Sequence, residues 1–224
     1  YLKNMEKIAL ISGITGQDGS YLAKYLLEKG YKVIGSSRDA QICNMKNLIF
    51  HNIENEVEMV SLASNDFRSV LQVLTKNKPD EVYNLSGLTS VGLSYEQPVE
   101  CMESIVSANL NFLEVIRYLQ EPIKFFNASS SECFGDTGFN PANEMTPFKP
   151  LSPYAIAKCT TFWQVENYRK SYNMFCCSGI LSNHESILRP NRFVTQKIIK
   201  ASIEIKNGKA KKINLGNIDI WRDW

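Results

Sequence analysis

Short apolar runs alternate with amphipathic stretches along most of this 224-residue chain. The runs predict strands at Lys7–Ser12, Lys32–Ser36, Glu56–Leu62, Glu81–Leu85, Ile123–Ala128 and Met174–Ile180. The stretches between them have helical apolar spacing at Tyr21–Lys29, Asp66–Asn77, Val99–Leu119 and Tyr154–Ser171. This alternation predicts an α/β fold, a doubly wound parallel sheet with helices on both faces.

The pattern changes after Asn183. One helix is expected at Thr195–Asn207 and a short strand at Lys212–Leu215. We therefore expect two domains: residues 1–182 form the sheet domain, and residues 183–224 begin a smaller lobe. Because so few residues remain for that lobe, the chain is expected to be truncated.

A glycine-rich loop joins the first strand to the first helix. The sequence of Gly13–Gly19 is GITGQDG, with glycine at every third position. Such glycines let the backbone turn tightly and approach a pyrophosphate at the N-terminus of the helix. A Rossmann dinucleotide site is therefore predicted here, and a glycine-rich turn without a ligand is the alternative.

Two charged residues at the end of the second strand bear on the choice of cofactor. Arg38 can accommodate the 2′-phosphate of NADP, whereas the neighbouring Asp39 keeps NAD possible. The alternative is that both are solvated surface charges.

A Tyr-x-x-x-Lys motif opens the last long helix of the sheet domain. Tyr154 and Lys158 lie four residues apart and so on one helix face. A free tyrosine ionises near pH 10, so it needs a nearby cation such as Lys158 to act as a base at neutral pH. Ser129–Ser131 follow the fifth strand, where a hydroxyl could reach the same reacting oxygen. The alternatives are a surface Tyr–Lys pair and a helix-capping role for the serines.

Charge and cysteine content narrow the class of protein. A net charge of +2 gives no reason to expect a nucleic acid or a membrane surface as partner. The six cysteines lack the spacing of a metal site and are expected to be buried, reduced thiols. No apolar run is long enough to cross a bilayer. The chain is thus expected to be soluble and cytoplasmic, without a bound metal.

Taken in order, these motifs resemble those of the extended short-chain dehydrogenases/reductases, and in detail those of the GDP-mannose 4,6-dehydratases. The segments that carry the resemblance are Gly13–Leu27, Pro79–Leu85, Ala128–Gly135, Pro147–Lys158, Gly179–Ser186, Phe193–Ile198, Leu215–Asn217 and Arg222–Trp224. Two of them, GITGQDGSYL and NHES, are much narrower than the pattern of the superfamily.

The resemblance implies a lyase that removes water from GDP-mannose through an internal hydride cycle on bound NADP. It assigns Tyr154 as the base at the C4 hydroxyl, with Lys158 lowering the tyrosine's pKa and holding the nicotinamide ribose. Ser130 would hydrogen-bond the C4 oxygen, and Glu132 would remove the C5 proton and help to expel the C6 hydroxyl. Family members usually have threonine at the position of Ser130.

The resemblance also implies two sets of binding residues. Those for the cofactor are Gly13, Gly16, Gln17, Asp18, Gly19, Arg38, Leu62, Leu85, Thr89, Tyr154, Lys158, His184 and Arg189. Those for the GDP-sugar are Thr89, Ser130, Glu132, Asn183, Lys197 and Arg222. A core histidine at His184 and a solvated lysine at Lys197 are the alternatives.

Several positions depart from the family pattern. Ser61 and Leu62 replace the usual Asp-Leu, Ser90 replaces histidine, and Asp39 replaces a second arginine. The segment from Arg38 to Glu56 is shorter than the family's arginine-rich loop, so the expected homo-oligomer could be a dimer or a tetramer. Another GDP-sugar would use the same chemistry. The alternatives to a dehydratase are an epimerase or reductase, which would not need Glu132, and an idle NADP-binding module.

Overall fold

A computed structural model of the chain describes residues 6–219. The strands are β1 (Ile8–Ser12), β2 (Lys32–Ser37), β3 (Glu58–Ser61), β4 (Glu81–Asn84), β5 (Lys124–Ser130) and β6 (Cys176–Leu181). The α-helices are α1 (Gln17–Glu28), α2 (Lys46–Phe50), α3 (Phe67–Asn77), α4 (Val91–Glu96), α5 (Pro98–Met102), α6 (Ala108–Leu119), α7 (Pro153–Tyr172) and α8 (Val194–Lys206). A π-helical turn, Glu103–Ser107, joins α5 to α6, and a 3₁₀ turn, Ser131–Phe134, follows β5.

The six strands form one parallel sheet in the order β3-β2-β1-β4-β5-β6. This order reverses direction at β1, and ligands of open α/β sheets bind beyond the carboxyl ends of the strands at such a point. The predicted doubly wound fold is confirmed.

The strands are apolar on both sides because helices cover both faces of the sheet. In β1, Leu10 packs into one core cluster, while Ala9 and Ile11 pack into the cluster on the other face. The first cluster contains residues of α3, α6 and α7, and the second contains residues of α1 and α2. The sheet is therefore held on both sides, which fixes the positions of its carboxyl ends.

The chain divides into two compact units, one ending at Leu181 and the other beginning at Ser182. The second unit contains α8, but the predicted strand at Lys212–Leu215 is wrong. These residues are irregular, because no neighbouring strand in the described part of the chain pairs with them.

The expectation that all six thiols are buried is wrong for two of them, since Cys177 is exposed and Cys43 half-exposed. Between residues 6 and 219, no helix combines the length and the apolar character needed to span a membrane.

Candidate active site

The glycine loop is held against the end of β4. Gly13 has φ = 85°, a left-handed conformation that favours glycine, and a Cβ built on it would lie 2.9 Å from the carbonyl of Leu85. A Cβ on Gly19 would lie 2.3 Å from the carbonyl oxygen of Gly13. These glycines therefore allow the close approach of loop, helix and strand that a dinucleotide-binding turn requires.

Helix α1 presents its N-terminus at this loop. Gly16 is the N-cap and has no side chain to accept the N–H groups of the first turn, in which Asp18 lies. The Gly16 N–H donates to the Gly13 carbonyl at 3.0 Å, which closes the turn. The helix thus begins four residues earlier than the sequence predicted, because Gly19 and Ser20 obscure the helical pattern.

A buried asparagine that the sequence analysis missed braces the same loop. Asn47 of α2 is 5% exposed, and its Nδ2 donates to the Thr15 carbonyl at 2.9 Å. Helix α2 packs against α1. The sequence did not predict α2, because its five residues are too few to show a helical period.

The residues proposed for the adenosine end lie beyond β2 and β3. Arg38 is largely exposed and forms an ion pair with Glu100 of α5, with 2.7 Å between Nη2 and Oε1. The Asp39 carboxylate accepts the N–H of Gln41 at 2.9 Å, so it caps its own turn. The Leu62 side chain is buried in the core, which leaves its backbone as the part nearer to a ligand.

The Tyr-x-x-x-Lys pair lies at the start of α7. Lys158 is 7% exposed, and its Nζ donates to the Ala128 carbonyl of β5 at 2.7 Å. The same Nζ lies 5.7 Å from the centre of the Tyr154 ring. Burial lowers the pKa of Lys158 to about 8, although Cys133, Cys101 and Asp18 oppose the shift. The ammonium group is therefore near the phenol and has a carbonyl partner that fixes its position.

The serines at the end of β5 also serve the local structure. Ser130 is the N-cap of the 3₁₀ turn, and its Oγ accepts the N–H of Glu132 at 3.2 Å. A hydroxyl that accepts one hydrogen bond still has its own proton to donate. Glu132 is half-buried in this turn, and α7 packs against the turn. The structure thus brings Ser130 and Glu132 to the end of the strand whose carbonyl holds Lys158.

A chain of polar side chains lies beneath this site. The Asn127 amide donates to Thr161 at 3.2 Å and to Ser178 at 3.4 Å, and its oxygen accepts from Asn84 at 3.4 Å. Thr161 in turn donates to the Lys158 carbonyl. The network joins β4, β5, β6 and α7, and so holds the helix that carries Lys158 in one register against the sheet.

The remaining proposed residues of the first unit lie on the loop after β4. Leu85 packs beside the glycine loop, and Thr89 is exposed. Gly87 in this loop contacts the π-helical turn closely, because a Cβ built on it would lie 3.0 Å from the Ser104 carbonyl oxygen. The Leu88 N–H donates to Ser104 Oγ at 3.3 Å.

Four of the proposed residues lie in the described part of the second unit. His184 Nδ1 lies 2.7 Å from the Ser182 carbonyl. Arg189 pairs with Glu185 at 3.2 Å and stacks on Phe193. Lys197 of α8 lines an open cleft of about 450 Å³, together with Lys200, Glu204 and Lys212. Asn183 lies in the segment that opens this unit, whereas Arg222 lies outside the described residues.

Comparisons with known proteins fit this arrangement. A sequence profile for GDP-mannose 4,6 dehydratase matches residues 10–224. The chain is 43% identical to a GDP-mannose 4,6-dehydratase of Vibrio cholerae over 98% of its own length, and 43% identical to GDP-mannose 4,6 dehydratase 1 of Arabidopsis thaliana over 97%. The chain belongs to the GDP-mannose 4,6-dehydratase family. It spans 61% and 63% of those two relatives.

Solved structures outside the GDP-mannose 4,6-dehydratase family share the fold. A dTDP-glucose 4,6-dehydratase of Streptomyces venezuelae with NAD bound has a TM-score of 0.79 at 18% identity, over 90% of this chain and 62% of its own. A UDP-glucose 4-epimerase of Thermus thermophilus in complex with NAD has a TM-score of 0.78 at 23% identity, over 90% of this chain and 63% of its own. At such identities the likeness extends to the fold alone.

Proposed function

We propose that the protein removes water from GDP-mannose to give GDP-4-keto-6-deoxymannose, with the help of a bound nicotinamide cofactor. The observation that carries the proposal is the grouping of Tyr154 and Lys158 with Ser130 and Glu132 at the end of β5, in a chain of this family. A phenol beside a cation, a hydroxyl and a carboxylate are together suited to acid–base chemistry on a sugar.

Each of these side chains has a role in the proposed reaction. A nicotinamide bound at the glycine loop would supply the hydride chemistry, namely uptake of a hydride from C4 of the sugar and its return to C6. Tyr154 takes the proton of the C4 hydroxyl, because the nearby charge of Lys158 favours the phenolate. Ser130 donates a hydrogen bond to the C4 oxygen. Glu132 removes the C5 proton, which the C4 ketone acidifies, and protonates the departing C6 hydroxyl.

The residues around the glycine loop fit a dinucleotide. Gly13 and Gly19 leave no room for a Cβ, so the loop packs closely against β4 and α1. A pyrophosphate could bind beside the N-terminus of α1, where the N-cap Gly16 has no side chain. Within this class we propose NADP, because the guanidinium of Arg38 can bind a phosphate bidentately, and NAD is the alternative. The aspartate that would favour NAD, Asp39, already accepts a backbone N–H.

For the nucleotide half of the substrate, we propose the second unit. Its cleft contains Lys197, Lys200 and Lys212 against a single carboxylate, Glu204. Such a surplus of positive charge favours a diphosphate. In this proposal residues 1–182 bind the cofactor and residues 183–224 begin the substrate lobe.

We also propose that the protein is a cytoplasmic homo-oligomer. All six cysteines, each within the described residues, are free thiols, as is usual in a reducing compartment. Large apolar side chains are exposed on both α6 and α7, including Leu110, Ile156 and Trp163. Apolar groups that are exposed in one subunit are typical of surfaces that a second subunit covers.

The decisive test concerns Glu132, because only a dehydratase needs it. In full-length Glu132→Gln, GDP-mannose should still reduce some bound cofactor, but dehydration should slow by about 10²–10⁴-fold, because glutamine cannot accept the C5 proton. Product is measured by mass spectrometry as the loss of water. In D₂O the wild type should place deuterium at C5, and the variant almost none.

The matched control is Glu144→Gln, which makes the same change at an exposed glutamate of the loop before α7. It should dehydrate GDP-mannose at the wild-type rate. If Glu132→Gln also reacts at that rate, the epimerase or reductase alternative becomes the better one. If neither the wild type nor Glu144→Gln reduces bound cofactor or removes water from GDP-mannose, the idle binding module is favoured.

A further inference from the structure

The ion pair between Arg38 and Glu100 lies where the adenosine end of the proposed cofactor would bind. NADP and NAD differ at this end, by the 2′-phosphate. Arg38 follows β2, and Glu100 lies in the first turn of α5, which follows β4. Since β2 and β4 are the two neighbours of β1, the pair joins the segments on either side of the glycine loop. A dinucleotide that lies on this loop and extends its adenosine towards β2 would therefore meet the pair.

Glu100 binds the guanidinium of Arg38, the group that would otherwise bind the 2′-phosphate of NADP. Arg38 Nη2 donates to Glu100 Oε1 at 2.7 Å, and this is the ion pair that Arg38 forms among the described residues. A 2′-phosphate would compete with the carboxylate for the guanidinium and would be repelled by it. A 2′-hydroxyl is neutral and would have no such competition.

We propose that Glu100 is a specificity-determining residue of the cofactor site: it holds Arg38 and so weakens the binding of ligands with a 2′-phosphate relative to those with a 2′-hydroxyl. This inference rests on the proposed function, because it assumes that an adenine dinucleotide binds at the glycine loop. Glu100 acts through Arg38 and is a positioning residue, with no contact to the reacting atoms.

Both side chains are well placed for such a role. The side chains of Arg38 and Glu100 are 78% and 41% exposed, so a ligand can reach the pair from solvent without disturbing the core. An exposed ion pair is weak, and displacing it therefore changes affinity only modestly. Removing the carboxylate should also leave folding intact.

The test measures ligands that carry only the adenosine end. We expect Glu100→Gln to bind 2′,5′-ADP about threefold to fivefold more tightly than the wild type, the range typical of an exposed ion pair, with the affinity for 5′-AMP unchanged. Isothermal titration calorimetry at low ionic strength gives both dissociation constants. The difference should shrink as salt is added.

Two further variants isolate the cause. Glu103→Gln removes the same charge three residues along, at an exposed side chain with no hydrogen bond or ion pair in the described part of the chain, and should leave both affinities unchanged. In an Arg38→Ala background, Glu100→Gln should no longer affect 2′,5′-ADP.

Three results would overturn the inference: no change in Glu100→Gln, an equal change for both ligands, or an effect that persists undiminished without Arg38. In each of these cases an enzyme that binds NADP or NAD and dehydrates GDP-mannose would still support the proposed function. A wild type that binds neither nicotinamide cofactor would overturn the proposed function, and this inference with it.

Discussion

Lys158 carries a positive charge into the interior at the amino end of α7. Removing water from an ammonium group disfavours its charged form, and this burial lowers the pKa of Lys158 to about 8 from an ordinary value of 10.5. The hydrogen bond to the Ala128 carbonyl offsets part of that cost. In the proposed function, Lys158 is thus placed for catalysis at the expense of stability.

Lys158→Met should accordingly raise the free energy of unfolding at pH 7, by about 1 kcal/mol. The substitution removes the desolvation cost of the charge, about 3 kcal/mol at 1.36 kcal/mol per pKa unit. It also leaves the buried Ala128 carbonyl without its donor, which destabilises the variant by about 1–3 kcal/mol. Urea unfolding monitored by circular dichroism gives the value. The same variant should have no dehydratase activity.

The stability that Lys158→Met gains over the wild type should decrease as pH rises. Between pH 8 and 10.5 the unfolded chain binds more protons at Lys158 than the folded chain, so the wild type gains stability as pH rises through this window. The advantage of Lys158→Met should therefore shrink towards pH 10. Lys76→Met, at an exposed lysine of α3, serves as control and should show no such trend. A variant that is less stable than the wild type at pH 7 would contradict this account.

At the level of single residues, sequence motifs indicated which side chains to consider but not which groups they contact. Tyr154 and Lys158 could be proposed as a pair because four-residue spacing places them on one helix face. The Ala128 carbonyl could not be proposed, because any strand residue has a carbonyl and only the packing of α7 on β5 selects this one. Glu100 lies 62 residues from Arg38, so no local pattern could join them.

Helix α2 shows how a short element can hold a functional loop. Its Asn47 fixes the Thr15 carbonyl, while the Gly16 N–H is fixed by Gly13. The peptide unit between Thr15 and Gly16 is thereby held at both ends, directly before the first turn of α1. In the proposed function, a loop held in this way needs less ordering when the dinucleotide binds, so less entropy is lost on binding.

We expect Asn47→Ala to raise the dissociation constant of NADPH about fivefold to tenfold, as loss of a hydrogen bond of about 1 kcal/mol or slightly more would do. Fluorescence titration with NADPH measures this, and thermal unfolding measures the accompanying loss of stability. Asn77→Ala removes a comparable bond, from the Asn77 amide to the Val73 carbonyl at 2.8 Å in α3. It should lower stability and leave affinity unchanged. Equal affinity in the two variants would make Asn47 merely structural.

At the level of elements, length decided what the sequence could predict. The strands and the long helices have enough residues to show their period, whereas α2 and α4, with five and six residues, do not. The wrong strand at Lys212–Leu215 had an apolar pattern, but a strand also needs a partner. Whether a partner exists depends on the tertiary structure.

At the scale of the whole molecule, considerable apolar surface is exposed. Helix α6 packs on α7, with Asn109 of one donating to Gln164 of the other at 2.8 Å, and each also has large apolar side chains in solvent. In the second unit, none of the residues of α8, all of them described, is buried. This exposed apolar surface could not be predicted from the composition, because composition does not show which apolar residues remain exposed after folding.

If α6 and α7 meet a second subunit, a charge there should separate the subunits. We expect Trp163→Glu to shift the protein from dimer or tetramer to a smaller species, because an interface that buries a tryptophan excludes an unpaired carboxylate. Light scattering after size exclusion gives the mass. Tyr25→Glu is the control, since Tyr25 of α1 is exposed to the same extent, 55%. A monomeric wild type would contradict the proposed oligomer.

The strand order also governs how the protein can be made. Ala9 of β1 pairs with Glu81 of β4, 72 residues further along, while β2 and β3 emerge earlier on the other side. During synthesis, β1 therefore presents an apolar, unpaired edge until β4 has left the ribosome, and such edges bind one another. A nascent chain stalled between β3 and β4 should accordingly need chaperones, and release of β4 should cover this edge of β1.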